Sequence, residues 1–296
     1  MMTKKMHKYS GKKLSRGEPP NYLGQHLLHK KQVLYEMIKK ASVSKQDTVL
    51  ELGAGKGALT TILAQKAATV LAVEYDNTFV QILKLKTVKN KNTQIIHEDI
   101  LKINLPKNKY VVVASIPYAI TTPIMKMLLN HPSGALDRGV IIMEKGAGKR
   151  FTATFIRNAY VLVWRMWFDL TYVKDISKDC FAPPPKVDSA MIKITRKSQP
   201  LIENKHYMAF LGLAQYALKQ PKASMEMVFK GVFTAPQMKH LKRNLGVKSP
   251  TMIGSLTEEQ WQVVFYTMIQ HVARPLWPKP TNPKKGLHKR SRSKKR

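Results

Sequence analysis

The chain has 296 residues, with 51 Lys+Arg against 18 Asp+Glu and a formal charge of +33. That length supplies an ample core, and the charge points to a polyanionic partner: nucleic acid first, an anionic membrane surface second. A single cysteine, Cys180, excludes an internal disulfide framework, no Cys/His cluster points to a metal, and no apolar run reaches membrane-spanning length. The N-terminus is basic but lacks the apolar centre of a signal peptide, so the expected location is the cytoplasm.

Residues 1–20 are Lys-rich and end in Gly17-Glu18-Pro19-Pro20, which predicts a flexible basic arm. From 21 to 197, short apolar runs alternate with helical patterns, which predicts an α/β domain with a mostly parallel sheet. The predicted strands are 48–52, 70–74, 94–97, 110–114, 140–143, 168–173 and 190–195. After the fourth, Thr122 reads as a helix N-cap with Pro123 at the first helical position. Trp164 and Trp167 sit among apolar residues and read as core.

Strand signals stop across 198–274, where a small all-α, RNA-binding domain is predicted. Residues 206–219 and 236–245 read as helices, and Gly246 is a natural stop for the second. A last helix begins at Thr257, which forms a capping-box pattern with Gln260, while Leu256 and Trp261 are spaced as a hydrophobic staple. In 275–296 every charged residue is basic, which predicts a disordered tail.

The loop Glu51-Leu52-Gly53-Ala54-Gly55-Lys56-Gly57 follows the first of these strands and opens a helical stretch. Its glycines allow close backbone approach to a ligand, and the helix start favours negative charge. A nucleotide phosphate loop is ruled out, because Leu50 stands where its first glycine belongs and Gly57 follows the lysine. A dinucleotide loop is formally satisfied by Gly53, Gly55 and Ala58, with Glu74 placed to serve a ribose, so the loop alone leaves NAD and S-adenosyl-L-methionine both open. Three further features favour S-adenosyl-L-methionine. Glu51 stands before the loop, and Asp99 follows the third strand, where its carboxylate would accept from an adenine amine. Ser115-Ile116-Pro117-Tyr118 follows the fourth and has no use in hydride transfer. Taken singly, Glu74 and Asp99 are ordinary strand-end acids; all of these groups fall at the carboxyl ends of strands, where open α/β sheets bind ligands.

The tetrad suits a pocket for a flat base: a hydroxyl to accept from an exocyclic amine, a proline to set the turn, and an aromatic face for stacking. It resembles the Asn/Asp/Ser-Pro-Pro-aromatic group of enzymes that methylate amino nitrogens of nucleobases. The ordered set of Gly24-Gln25-His26-Leu27-Leu28, the glycine loop, Glu74, Asp99, the tetrad with Ala119-Ile120-Thr121-Thr122-Pro123, and Phe181-Ala182-Pro183-Pro184-Pro185-Lys186-Val187-Asp188-Ser189 resembles the Erm family of 23S rRNA adenine N6-dimethyltransferases. The likeness runs from about Gly24 to Arg196 and is weaker in the helical part.

The resemblance implies a Rossmann-like methyltransferase fold with a mostly parallel seven-stranded sheet, and dimethylation of one adenine that confers macrolide, lincosamide and streptogramin B resistance. It implies that His26 and Leu28 line the methionine end of S-adenosyl-L-methionine. Gly53 would contact the cofactor backbone, Glu74 the ribose hydroxyls and Asp99 the adenine ring. Ser115, which would also border the cofactor, and Tyr118 would hold the target base, with the Ile116 carbonyl as second acceptor and Pro117 in the turn. Phe181 would close from the other side, and Glu144, Lys145, Lys149 and Arg150 would face the RNA. The expected partner is naked or precursor 23S rRNA, bound by a monomer with no membrane partner. The family usually carries Asn where Ser115 stands, although other amino-methylating enzymes use Ser. The alternatives are a 16S rRNA dimethyladenosine transferase or, because of Ser115, a weakly active or inactive rRNA-binding protein.

Overall fold

The strand Tyr110–Ser115 has almost no solvent contact on either face, as a central parallel strand requires, and the sheet is built outward from it. The structure, a computed structural model, describes residues 26–247 and 250–281. In chain order its elements are β1 (Leu27–Leu28), α1 (Lys31–Lys40), β2 (Thr48–Leu52), α2 (Thr60–Lys66), β3 (Thr69–Glu74), α3 (Asn77–Thr87), β4 (Thr93–His97), β5 (Tyr110–Ser115), α4 (Thr121–Leu129), β6 (Leu136–Glu144), α5 (Lys145–Thr152), α6 (Ala159–Trp167), β7 (Phe168–Ile176), β8 (Phe181–Ala182) and β9 (Ser189–Arg196). Four helices follow: α7 (Tyr207–Ala217), α8 (Met225–Phe229), α9 (Ala235–Leu245) and α10 (Glu258–His271).

The main sheet has seven strands in the order β4-β3-β2-β5-β6-β9-β7. β9 runs antiparallel to both its neighbours and the other pairs with resolved register are parallel, which bears out the mostly parallel α/β expectation. All seven predicted strands are present, several of them longer at one or both ends. β7 reaches Ile176 because its pairing with β9 slips at Val173 and then resumes.

Successive residues on a strand face opposite sides, and the two apolar layers follow that alternation. Val112, Ala114, Ile141 and Ile192 join one layer; Val111, Val113, Val140 and Met191 join the other, which packs on α1 and α2. β5 and β6 approach closely at Gly139, where a Cβ would lie 2.2 Å from Val112 Cγ1. Trp164 and Trp167 are buried, as expected of core residues, and each indole N–H is satisfied, by Asn130 and Asn204 respectively.

The helix after the tetrad departs from expectation at its start. It begins at Thr121 with Ile120 as N-cap, not at a Thr122 cap, because a 3-10 turn over Tyr118–Ile120 runs directly into it. The Thr121 hydroxyl donates back to the Tyr118 carbonyl at 3.0 Å. Pro123 is then the third helical residue, where its missing N–H is still one the first turn leaves unpaired. The C-terminal caps are as predicted: Gly246 is left-handed (φ 62°), and Thr257 and Gln260 form a reciprocal capping box beside buried Leu256 and Trp261.

The helical region shares one apolar layer with the sheet through α6, α7 and α10, so the core is continuous across the 197/198 boundary. Buried Arg165 on α6 reaches Glu258 on α10 at 3.2 Å and the Phe151 carbonyl at 2.9 Å. The first residues of the expected tail, 275–281, pack onto α7: Thr281 donates to Gln215, and the Pro278 carbonyl lies where a Cβ on Gly212 would be, at 2.1 Å. The rest of the tail, 282–296, and the 1–20 arm lie outside the described residues. Among the described residues no helix is long and apolar enough to cross a membrane.

Candidate active site

The site forms where β2, β3 and β5 end. Gly53, Gly55 and Gly57 all have positive φ (77°, 54° and 81°), a conformation that costs other residues strain. The amides of Gly53 and Ala54 donate to the Val73 carbonyl, which ties the loop to the end of β3. Glu74, the last residue of β3, is buried and holds the loop from the other side. Its Oε2 accepts from Gly55 N at 2.7 Å, and its Oε1 accepts from the amides of Tyr75 and Asp76. Oε1 is thereby filled, while Oε2 keeps a lone pair for a further donor.

Glu51 is buried at the end of β2, and burial pushes its carboxyl up to about 8, against a smaller opposing effect of the Thr60 hydroxyl and with Glu74 adding repulsion. Among the described residues its Oε2 has no hydrogen-bond partner. Asp99 caps the 3-10 turn over Ile100–Lys102: Oδ1 accepts from Leu101 N at 2.9 Å, and Oδ2 is 3.9 Å from the Lys102 ammonium.

Gly53 is the meeting point. A Cβ there would lie 3.6 Å from the Ser115 carbonyl, 3.9 Å from Ile100 and 4.0 Å from Pro117. The glycine loop, the Asp99 turn and the tetrad are thus brought within van der Waals range of one backbone position. The Ser115 hydroxyl makes no hydrogen bond among the described residues, whereas buried Ile116 is anchored through its amide to the Ile142 carbonyl at 3.1 Å.

Tyr118 is half-buried, and its hydroxyl is hydrogen-bonded to Ser189 Oγ. Burial raises its phenol pKa, the Ser189 bond opposes this, and the charges of Glu144 and Asp188 add to it. The His26 ring lies 5.9 Å from the Tyr118 ring, tilted by 35°. His26 Nδ1 is 2.9 Å from the Pro183 carbonyl, which can only accept, so Nδ1 carries the hydrogen. Leu28 and Phe181 are directly paired in the small β1–β8 sheet, and both are buried in the same apolar layer. Leu27, beside them, closes over the glycine loop, within 2.8 Å of a Cβ on Gly55.

The residues expected to face RNA divide. Lys149 and Arg150 are exposed in the last turn of α5. Lys145 is half-buried and paired with Asp175 at 2.5 Å and Asp188 at 4.0 Å, and the bond to Asp175 raises its ammonium pKa. Glu144 caps α5 through Gly146 N. Two contributors were not singled out from the sequence: the Ser189 hydroxyl and the β1–β8 pairing. Ser189 ends a motif that carried the family resemblance, which was its only signal.

The donor set fits S-adenosyl-L-methionine. It comprises a glycine cradle, an acid with a spare oxygen for a ribose diol, a second acid with an accessible oxygen for an aromatic amine, and a buried carboxyl oxygen at the loop with no partner among the described residues.

The comparisons with known proteins agree with that chemistry. The chain is 58% identical over 285 residues to rRNA adenine N-6-methyltransferases of Bacillus licheniformis and Bacillus anthracis, covering 96% of this chain and 99% of each relative. It is 32% identical over 223 residues to the ribosomal RNA small subunit methyltransferase A of Staphylococcus aureus, covering 71% of this chain and 75% of the relative. The crystal structure of the 23S rRNA methyltransferase ErmE shares the fold, with a TM-score of 0.74 at 22% identity over 82% of this chain and 100% of that one. The family described as ribosomal RNA adenine dimethylase matches residues 20–270. By sequence, fold and donor chemistry alike, this chain belongs to the ribosomal RNA adenine dimethylase family and is an S-adenosyl-L-methionine-dependent rRNA adenine N6-methyltransferase.

Proposed function

We propose that the enzyme methylates N6 of one adenine in 23S rRNA and thereby confers resistance to macrolides, lincosamides and streptogramin B. The observation that carries this reading is the extent of the likeness. Identity is 58% across 96% of the chain to the rRNA adenine N-6-methyltransferases, against 32% across 71% to the small-subunit enzyme. Ile116 in the tetrad and the basic 275–296 segment favour the same branch. The enzyme works in the cytoplasm, as a monomer, on naked or precursor rRNA.

The adenine N6 lone pair is delocalised into the ring, so the amine is a weak nucleophile, and its deprotonation is out of reach near neutral pH. The chain's task is to reshape and position it. The Ser115 hydroxyl, unengaged among the described residues, and the Ile116 carbonyl accept the amine hydrogens and favour an sp³-like nitrogen. Tyr118 stacks on the base and stabilises cationic character beside it. Phe181, held in the wall by its pairing with Leu28, bounds the opposite side. When bound, S-adenosyl-L-methionine supplies an already activated sulfonium methyl. Glu74 and Asp99 hold its ribose and adenine, Gly53 lets it approach the backbone, and His26 and Leu28 line its methionine end. Positioning then provides most of the remaining barrier reduction, once the target adenine has left its stack. Lys149 and Arg150 meet RNA phosphates, with Lys145 behind them.

Ser115 gives a second reading its footing: its hydroxyl is shorter than the amide of the usual Asn, which would leave a weak or monomethylating enzyme. Both readings are tested by transfer of labelled methyl to 23S and 16S rRNA, with the modified adenines mapped, for the native chain and Ser115→Asn. Product in 23S rRNA and erythromycin resistance of a sensitive host are expected. Modification confined to 16S rRNA overturns the 23S reading; monomethyladenine alone or no product from the native chain, with dimethyladenine from Ser115→Asn, establishes the second.

A further inference from the structure

We propose that Ser189 is a positioning residue of the methylation site, whose buried hydroxyl holds Tyr118 at the angle on which the target adenine stacks. The inference deepens the function proposed above, because it rests on Tyr118 being the stacking platform.

The two residues have very different mechanical settings. Ser189 is the first residue of β9, has no solvent exposure, and is paired with Glu144 of β6 on one side and Ile176 of β7 on the other. Its Oγ is therefore fixed in the frame of the seven-stranded sheet. Tyr118 lies on a short 3-10 turn with no strand partner, and its ring is half-exposed. Its backbone sets only the Cα end of the side chain, leaving two torsions to place the ring. The bond to Ser189 fixes the far end, at the phenol oxygen. An aromatic platform held at both ends loses little entropy when a base stacks on it, and stacking geometry is where a small angular error is felt most.

A purely structural alternative exists, since a buried hydroxyl needs a partner in any case. It predicts that breaking the bond lowers stability and leaves the kinetics alone. Positioning predicts the reverse emphasis. Ser189→Ala and Tyr118→Phe remove the same bond from opposite sides, and the second change, on a half-exposed residue, remains informative if the first folds poorly.

The experiment measures kcat, the KM values for S-adenosyl-L-methionine and RNA, and thermal melting for Ser189→Ala, Tyr118→Phe, the double variant and Tyr118→Leu. Stacking is followed by fluorescence of an RNA with 2-aminopurine at the target position. The expected result is a loss of about tenfold in kcat for either single variant, the scale of one hydrogen bond. The KM for S-adenosyl-L-methionine should be unchanged, 2-aminopurine quenching weaker, and the double variant no worse than the singles. Ser189→Thr, which keeps the hydroxyl, should recover most of the loss. Native kinetics in both single variants, or losses that multiply in the double, overturn the proposal. Full activity in Tyr118→Leu overturns the stacking reading itself. An inactive Tyr118→Leu beside fully active Tyr118→Phe and Ser189→Ala leaves that reading standing and removes Ser189 from it.

Discussion

The amide of Gly55 donates to Glu74 Oε2 at 2.7 Å, so the acid that ends β3 also shapes the loop that ends β2. Glu74→Ala should therefore do two things. Loss of the three backbone hydrogen bonds to its oxygens should destabilise the protein by about 1–3 kcal/mol. S-adenosyl-L-methionine affinity should fall by about tenfold or more, as the ribose acceptor and the loop shape go together. Calorimetric titration beside a melting curve checks both; unchanged affinity would remove Glu74 from the cofactor site.

Glu51 makes stability depend on pH. Its carboxyl is raised from 4.5 to about 8, chiefly by burial, so the folded state holds a proton that the unfolded state has released across that window. Stability should fall as pH rises from about 4.5 to about 8, by up to about 1.4 kcal/mol per unit, and level off above. Glu51→Gln, which cannot ionise, should flatten the decline. Urea midpoints of both proteins between pH 5.5 and 8.5 decide it, and parallel curves would mean that Glu51 is already ionised in the fold.

Gly139 lies where β5 and β6 approach closely. A methyl there would meet both Val112 Cγ1, at 2.2 Å, and the Val112 carbonyl, at 2.4 Å. Gly139→Ala should cost about 1–3 kcal/mol by overpacking. Adding Val112→Ala should recover only part of that, because the backbone clash remains. Full recovery in denaturant titrations would show that the carbonyl can shift.

The basic residues of α5 should separate in RNA binding. Lys149→Ala and Arg150→Ala should each lower the slope of log affinity against log salt by roughly one, the effect of one phosphate contact. Lys145→Met should change it by much less, because Asp175 and Asp188 already neutralise that ammonium. Filter binding over a salt series measures all three, and an equal loss at Lys145 would show that its ion pairs open when RNA docks.

What was legible in the sequence was what neighbours in the chain decide. The apolar run of β5, the seven strands, the left-handed Gly246 and the Thr257–Gln260 capping box depend on residues a few positions apart. The glycine loop, Glu74, Asp99 and the tetrad were legible as separate strand-end features, and the strand order gathers them around Gly53. The start of α4 was misplaced at Thr122 because a 3-10 turn, which leaves little pattern of its own, precedes the helix.

The rest belongs to tertiary structure. That Phe181 pairs with Leu28, that Ser189 holds Tyr118, and that Lys145 is occupied by two aspartates are facts about residues far apart in the chain. Residue types and local spacing determined that a glycine loop and the Ser115–Tyr118 tetrad stand at strand ends and that the partner is a polyanion. Only folding decided which hydroxyl bonds the tyrosine and which basic side chains of α5 stay exposed. A hydrogen bond or ion pair between distant segments depends on strand register and burial, and neither is encoded in any short window of sequence.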